Sequence, residues 1–149
     1  MSAQMIRAAA AQLSPVLGSR EGTIAKVIDA IAAAASQGAQ LIVFPETVVP
    51  YYPYFSFITP AVAMGPAHLA LYDQAVTVPS ADTERVGAAA RQYRIVVVLG
   101  VNERDHGSLY NTQLIFDADG VLQFVQRRKR SSMADRAFNA VWLFQIADA

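Results

Sequence analysis

The chain has 149 residues, 54% of them apolar and 16% charged, with 12 basic side chains against 12 acidic ones. Such a composition fits one domain with a sizeable core and excludes a disordered chain, while zero net charge removes the electrostatic case for nucleic acid. There is no cysteine, which excludes disulfides, thiolate metal sites and a thiol nucleophile supplied by this chain. No apolar run approaches the ~20 residues that span a bilayer, and Met1 to Arg7 carries no charged leader followed by an apolar segment. The expectation is a cytoplasmic protein without membrane contact. Its high apolar content predicts surface to be covered by another subunit or by a second part of the fold.

Met5 to Leu13 is short, apolar and stopped at Ser14-Pro15, which predicts a strand. Ser19 can cap a helix running to about Gln37, with Ile24, Val27, Ile28, Ile31 and Ala35 on one face. Gly38 sits where a left-handed C-cap is wanted. Leu41-Ile42-Val43-Phe44 then reads as a strand buried on both faces. From Thr47 to about Pro66 runs a long loop rich in Pro and aromatics, and loops of that length in compact domains are usually functional. Ala67 to Ala75 predicts a short helix, and Ser80 a second N-cap for a helix with Val86, Ala89, Ala90 and Tyr93 on its apolar face. Ile95 to Val101, Leu109 to Phe116 and Val121 to Arg128 complete the strands, the last two joined by the hairpin signal Asp117-Ala118-Asp119-Gly120. The order β-α-β-(loop, α)-α-β-β-β is that of a layered α/β fold. Ser131 to Ala149 breaks this rhythm, with Phe138, Val141, Trp142 and Ile146 at the spacing of a short amphipathic helix.

Glu46 is the first candidate for chemistry. It follows a buried strand and precedes the aromatic loop, and a carboxylate partly withdrawn from water can act as a general base. The plain alternative is a surface acid in a turn. Lys129 ends a strand in the run Arg127-Arg128-Lys129-Arg130, and an ammonium near Glu46 would stabilise an anionic tetrahedral intermediate. The alternative there is a solvated strand end. Glu103 and Arg104 read either as support for a site or as a solvated loop pair. His68 and His106 lack metal-ligand spacing, so no metal is expected. No Gly-x-Ser-x-Gly elbow surrounds Ser14, and the turn after the first strand has no dinucleotide-binding glycine fingerprint.

Several stretches, in order, resemble the nitrilase branch of the carbon–nitrogen hydrolase superfamily. They are Ala10-Ala11-Gln12-Leu13 with Pro15, Gly38 to Thr47, Val98 to Arg104, Leu109-Tyr110-Asn111-Thr112, Phe116 to Gly120 and Arg127-Arg128-Lys129. The resemblance covers about residues 6 to 129. It implies an αββα sandwich, of which this chain would form the N-terminal half, and a site of cysteine nucleophile, glutamate general base and lysine. The glutamate and lysine roles fall on Glu46 and Lys129. In that chemistry a thiolate attacks the nitrile carbon, ammonia leaves from a thioimidate, and water releases the acid from an acyl-enzyme. No cofactor is implied.

From Arg130 onward the resemblance stops: the family's Thr-Pro segment, its second glutamate and its Cys-Trp-Glu strand have no counterpart in Ser131 to Ala149. The expectation is therefore a partial hydrolase domain over 1–129 and a divergent tail over 130–149. It is truncated and inactive alone, because losing a covalent nucleophile removes the pathway. Tyr52 and Tyr54 of the aromatic loop would border a pocket for an aryl or arylaliphatic nitrile. Competing expectations are an amidase or carbamoylase fragment, a non-catalytic partner that assembles with full-length copies or with itself, and a product too exposed to fold stably.

Overall fold

The structure, a computed structural model, describes residues 5–129. One five-stranded sheet runs in the order β1 (Ala8–Ala10), β2 (Leu41–Val43), β3 (Val96–Asp105), β4 (Ser108–Phe116), β5 (Leu122–Lys129). The first three strands are parallel and the last two turn back antiparallel. Two helices, α1 (Arg20–Ser36) and α4 (Ala81–Tyr93), pack on one face; α2 (Phe55–Ile58) and α3 (Gly65–Gln74) lie in the connection between β2 and α4.

Local chemistry sets these boundaries. Ser19 Oγ accepts from the Gly22 N–H at 3.0 Å, satisfying one of the free donors at the start of α1. Gly38, at φ +79°, takes the left-handed conformation that ends it. Along α1, Ile24, Val27, Ile31 and Ala34 are buried, and they meet Val86, Ala89 and Ala90 of α4 over the sheet residues Ile42, Phe44, Val97, Leu99, Val101, Leu114 and Phe116. Alternation within the strands makes these one face of the sheet. Each fully buried aliphatic or Phe side chain contributes roughly 1.5–3 kcal/mol.

Among the described residues the other face is thinly covered toward β1 and β2. Ala8 and Ala10 are exposed, and Leu41, Val43 and Val96 only half-buried. The expectation of a strand buried on both faces thus holds for Ile42 and Phe44 and fails for Leu41 and Val43. β1 is also shorter than Met5 to Leu13. Among the described residues its neighbour is β2, which offers a register of Leu41–Val43, and Pro45 then has no N–H to continue the ladder. β3 is longer than expected, because Asn102, Glu103 and Arg104 pair with Asn111, Tyr110 and Leu109. Its hairpin turn uses His106 at φ 44° and Gly107 at φ 77°, both positive as a tight two-residue hairpin requires. The helical spacing read in residues 131–149 lies outside the described residues.

Candidate active site

Beyond β2 the chain leaves the sheet and returns to it. Phe44 N–H donates to Val98 O at 2.9 Å and Val49 N–H to Gly100 O at 3.3 Å, so residues 45–48 bulge over a single step of β3. Bulges re-aim side chains and are common beside active sites. Glu46 stands on this bulge, at the C-terminal end of a parallel strand, where α/β sheets gather their ligands. Its neighbour Thr47 is 1% exposed and has φ 48°. A β-branched residue in the left-handed region stores strain of about 1–3 kcal/mol, held by the surrounding packing.

Glu46 is exposed rather than partly buried, since it projects from the uncovered side of the sheet. It is nevertheless fixed. Asn111 Nδ2 in β4 donates to Glu46 Oε1 at 2.6 Å. Across the strands Asn111 lies opposite Asn102 of β3 and Arg128 of β5. Asn102 Nδ2 in turn donates to Tyr51 O at 2.8 Å, anchoring the start of the aromatic loop to the same end of the sheet. In that loop Tyr52 packs at 4.8 Å from Tyr54 and at 6.2 Å from Phe57 between ring centroids, and Tyr54 is 70% exposed. Tyr51 is shielded enough that burial raises its phenol above the usual value.

The basic run takes successive register positions along β5. Arg128 lies opposite Asn111, whereas Lys129 ends β5 opposite Tyr110. Arg127 belongs to a different assembly. Its Nε donates to Glu103 Oε2 at 2.8 Å, its Nη2 pairs with Glu103 Oε1, and its Nη1 meets Asp105 Oδ2 at 3.0 Å. Thr112 Oγ1 donates to Glu103 Oε2 at 2.8 Å, and the guanidinium lies over the Tyr110 ring at 5.4 Å. The hydrogen bonds that Arg127 donates to Glu103 are the main cause raising the Arg127 pKa. Glu103 is 0% exposed. It is a buried strand residue with a fixed partner, not half of a solvated loop pair, because β4 and β5 satisfy its carboxylate.

Among the described residues no group of three or more His, Asp or Glu is placed to hold a metal, and no helix is long and apolar enough to cross a membrane. His106 is exposed in its turn and bonds Asp105 Oδ1 at 2.6 Å. His68 packs edge-on against Phe55 and faces Met64 O at 3.2 Å. Neither histidine approaches Glu46 through any of these contacts. Asn111, Asn102 and Gly100 are the site residues that sequence reasoning did not single out. For the two asparagines the signal is a carboxamide inside a strand, where Asn is disfavoured unless a side-chain partner uses it, and for Gly100 it is a glycine inside a strand, which marks a close backbone approach.

An anchored carboxylate at a strand mouth, on the open face of an α/β layer, has the chemistry to accept and return a proton. The chain belongs to the carbon–nitrogen hydrolase family, which it matches over residues 7–141. Within that family it aligns with the N-terminal portion of nitrilases. It is 60% identical over 126 residues to a nitrilase of Paraburkholderia phymatum, covering 85% of this chain and 37% of the relative. It is 40% identical over 125 residues to the aliphatic nitrilase of Rhodococcus rhodochrous, covering 83% of this chain and 34% of that one. The fold is shared with a carbon–nitrogen hydrolase of Helicobacter pylori G27, at TM-score 0.63, 22% identity and coverage of 83% and 39%. It is shared equally with Nit3 of Saccharomyces cerevisiae, a member of the nitrilase superfamily, at TM-score 0.63, 23% identity and coverage of 83% and 44%. The chain thus spans well under half the length of these relatives.

Proposed function

We propose that this chain is the general-base portion of a nitrilase-type hydrolase, with Glu46 as the base and Lys129 as the cation that stabilises the tetrahedral intermediate, and that by itself it does not hydrolyse nitriles. The observation that carries the reading is Glu46, held by Asn111 on a strained bulge at the C-terminal end of β2. The match to nitrilases and the absence of cysteine supply the rest. Without a thiol no thioimidate forms, so a base and a cation have no adduct to act on. The role of Lys129 rests on the family resemblance. Arg128 takes the register position opposite Asn111, and the two basic residues are separable by mutation. The substrate class proposed is a small organic nitrile, bordered by Tyr52 and Tyr54.

Two measurements test this. Purified chain incubated with aryl and aliphatic nitriles is expected to release no more ammonia than its Glu46→Ala variant; release above that control overturns the inactivity. Residues 1–129 grafted in place of the matching segment of the Paraburkholderia phymatum nitrilase are expected to restore hydrolysis, and Glu46→Gln in the graft to abolish it. Within the same graft Lys129→Met is expected to be inactive and Arg128→Met active. The reverse pattern moves the cation to Arg128.

A second reading, a non-catalytic subunit that assembles with full-length copies or with itself, is favoured by the uncovered sheet face. Co-purification of tagged chain with the intact nitrilase, and loss of that enzyme's activity on mixing, are its expected signs.

A further inference from the structure

We propose that Asn111 is the positioning residue of Glu46, and that the absence of a side chain at Gly100 is what brings the two together. This rests on the reading of Glu46 as a general base. A Cβ on Gly100 would lie 2.3 Å from Pro45 O, 2.7 Å from Thr47 N and 2.8 Å from Glu46 Cα. All three are backbone atoms, so no rotamer change relieves the contact. Only glycine allows the bulge to lie directly on β3, and that approach sets the height of Glu46 above the sheet.

Close approach alone does not make a site: Gly87 and Gly120 meet as tightly where α4 crosses the β4–β5 turn. The difference at Gly100 is that the crossing segment carries a carboxylate and that a neighbouring strand catches it. Asn111 shares the open face with the position opposite Gly100, which is Gln113 two residues along β4. Its carboxamide reaches Glu46 Oε1 at 2.6 Å. A carboxamide donates without carrying charge, so it orients the carboxylate without forming an ion pair that would quench its basicity. The contact is made at Oε1. Holding the carboxylate through a neutral donor fixes its direction and leaves it able to take a proton, as a general base must. Thr112, next in sequence, turns to the opposite face and bonds Glu103, so β4 serves the site with one face and the buried ion pair with the other.

The test reads geometry and catalysis separately. In the full chain, the Asn111 side-chain amide resonances are expected to show slowed exchange with solvent and to shift on Glu46→Ala, a substitution at an exposed position that leaves the fold intact. An Asn111 signal indifferent to Glu46→Ala overturns the proposal. In the grafted nitrilase, Asn111→Asp keeps the shape, removes the donor and adds a like charge, and is expected to lower kcat by about tenfold or more with KM little changed. A merely structural role would instead lower thermal stability and leave kcat of the folded fraction intact, which would also overturn it. If the graft is inactive with Asn111 and Glu46 both present, the hydrolase reading fails, while the resonance experiment still decides the positioning.

Discussion

Glu103 and Arg127 show how a residue's meaning depends on what faces it. Glu103 is wholly buried, and its carboxylate accepts from Arg127 and Thr112, while Arg127 still reaches solvent. Removing one member of a buried pair leaves an uncompensated charge. Arg127→Met is expected to destabilise the chain by about 3 kcal/mol, the low end of the usual range because Arg127 is partly solvated. Urea unfolding of the two proteins checks it, and a midpoint unchanged by the substitution would show the pair to be idle. Asn111 and Glu46 form the contrasting case. They are joined by a bond of similar length but stand on the open face, so their loss is expected to alter chemistry in a completed enzyme more than stability.

At the scale of elements, the β4–β5 hairpin is locked at both its turn and its crossing with α4. Asp117 Oδ1 accepts from the N–H groups of Asp119 and Val121, each at 2.9 Å, and Oδ2 accepts from Gln123 Nε2. The bond from Val121 is the largest cause that lowers the Asp117 pKa. A carboxyl whose pKa falls on folding contributes stability above its unfolded value and loses it as pH falls through the folded value. Wild type is therefore expected to exceed Asp117→Asn in Tm at pH 7, with the gap closing as the pH is taken down below about 4. A gap that persists in acid would assign the effect to something other than charge. At the crossing, a Cβ on Gly120 would come within 2.2 Å of Gly87 O, and Gly120 itself has φ +81°. Gly120→Ala is expected to lower Tm by several degrees, more than Gly107→Ala in the open His106 turn, which has a similar φ but no neighbour within 4 Å.

At the largest scale, among the described residues one sheet face carries the core and the other is exposed at Ala8 and Ala10 and half-buried at Leu41, Val43 and Val96. Exposed large apolar side chains, among them Ile58, Val62 and Leu69, add to this on the β2–α4 connection. Surfaces of that kind bind other surfaces. Isolated chain is expected to bind a hydrophobic dye in its native state and to sediment faster as concentration rises. A monomer that ignores the dye and unfolds cooperatively would show that the open face is tolerated in water.

The order of elements was legible because it depends on local rules. Ser19, Gly38, the spacing of Ile24, Val27 and Ile31, and the Asp117–Gly120 turn each act within a few residues of themselves. The family resemblance was legible for the same reason, being carried by short contiguous stretches, and so was the lack of a nucleophile. Glu46 could be picked out as an acid at a strand mouth, but not what holds it. Its partner lies 65 residues away, and the glycine beneath it belongs to a third element. Glu103 reads either way in the sequence because it is a charged residue just past an apolar run, and only the pairing of β3 with β4 and of β4 with β5 reveals the arginine and threonine that let it be buried. That Arg128 takes the position opposite Asn111 is likewise a matter of register, which a run of basic residues does not encode. Periodicity and composition fix what each segment prefers by itself, whereas side chains distant in sequence meet only after the strands have chosen their neighbours.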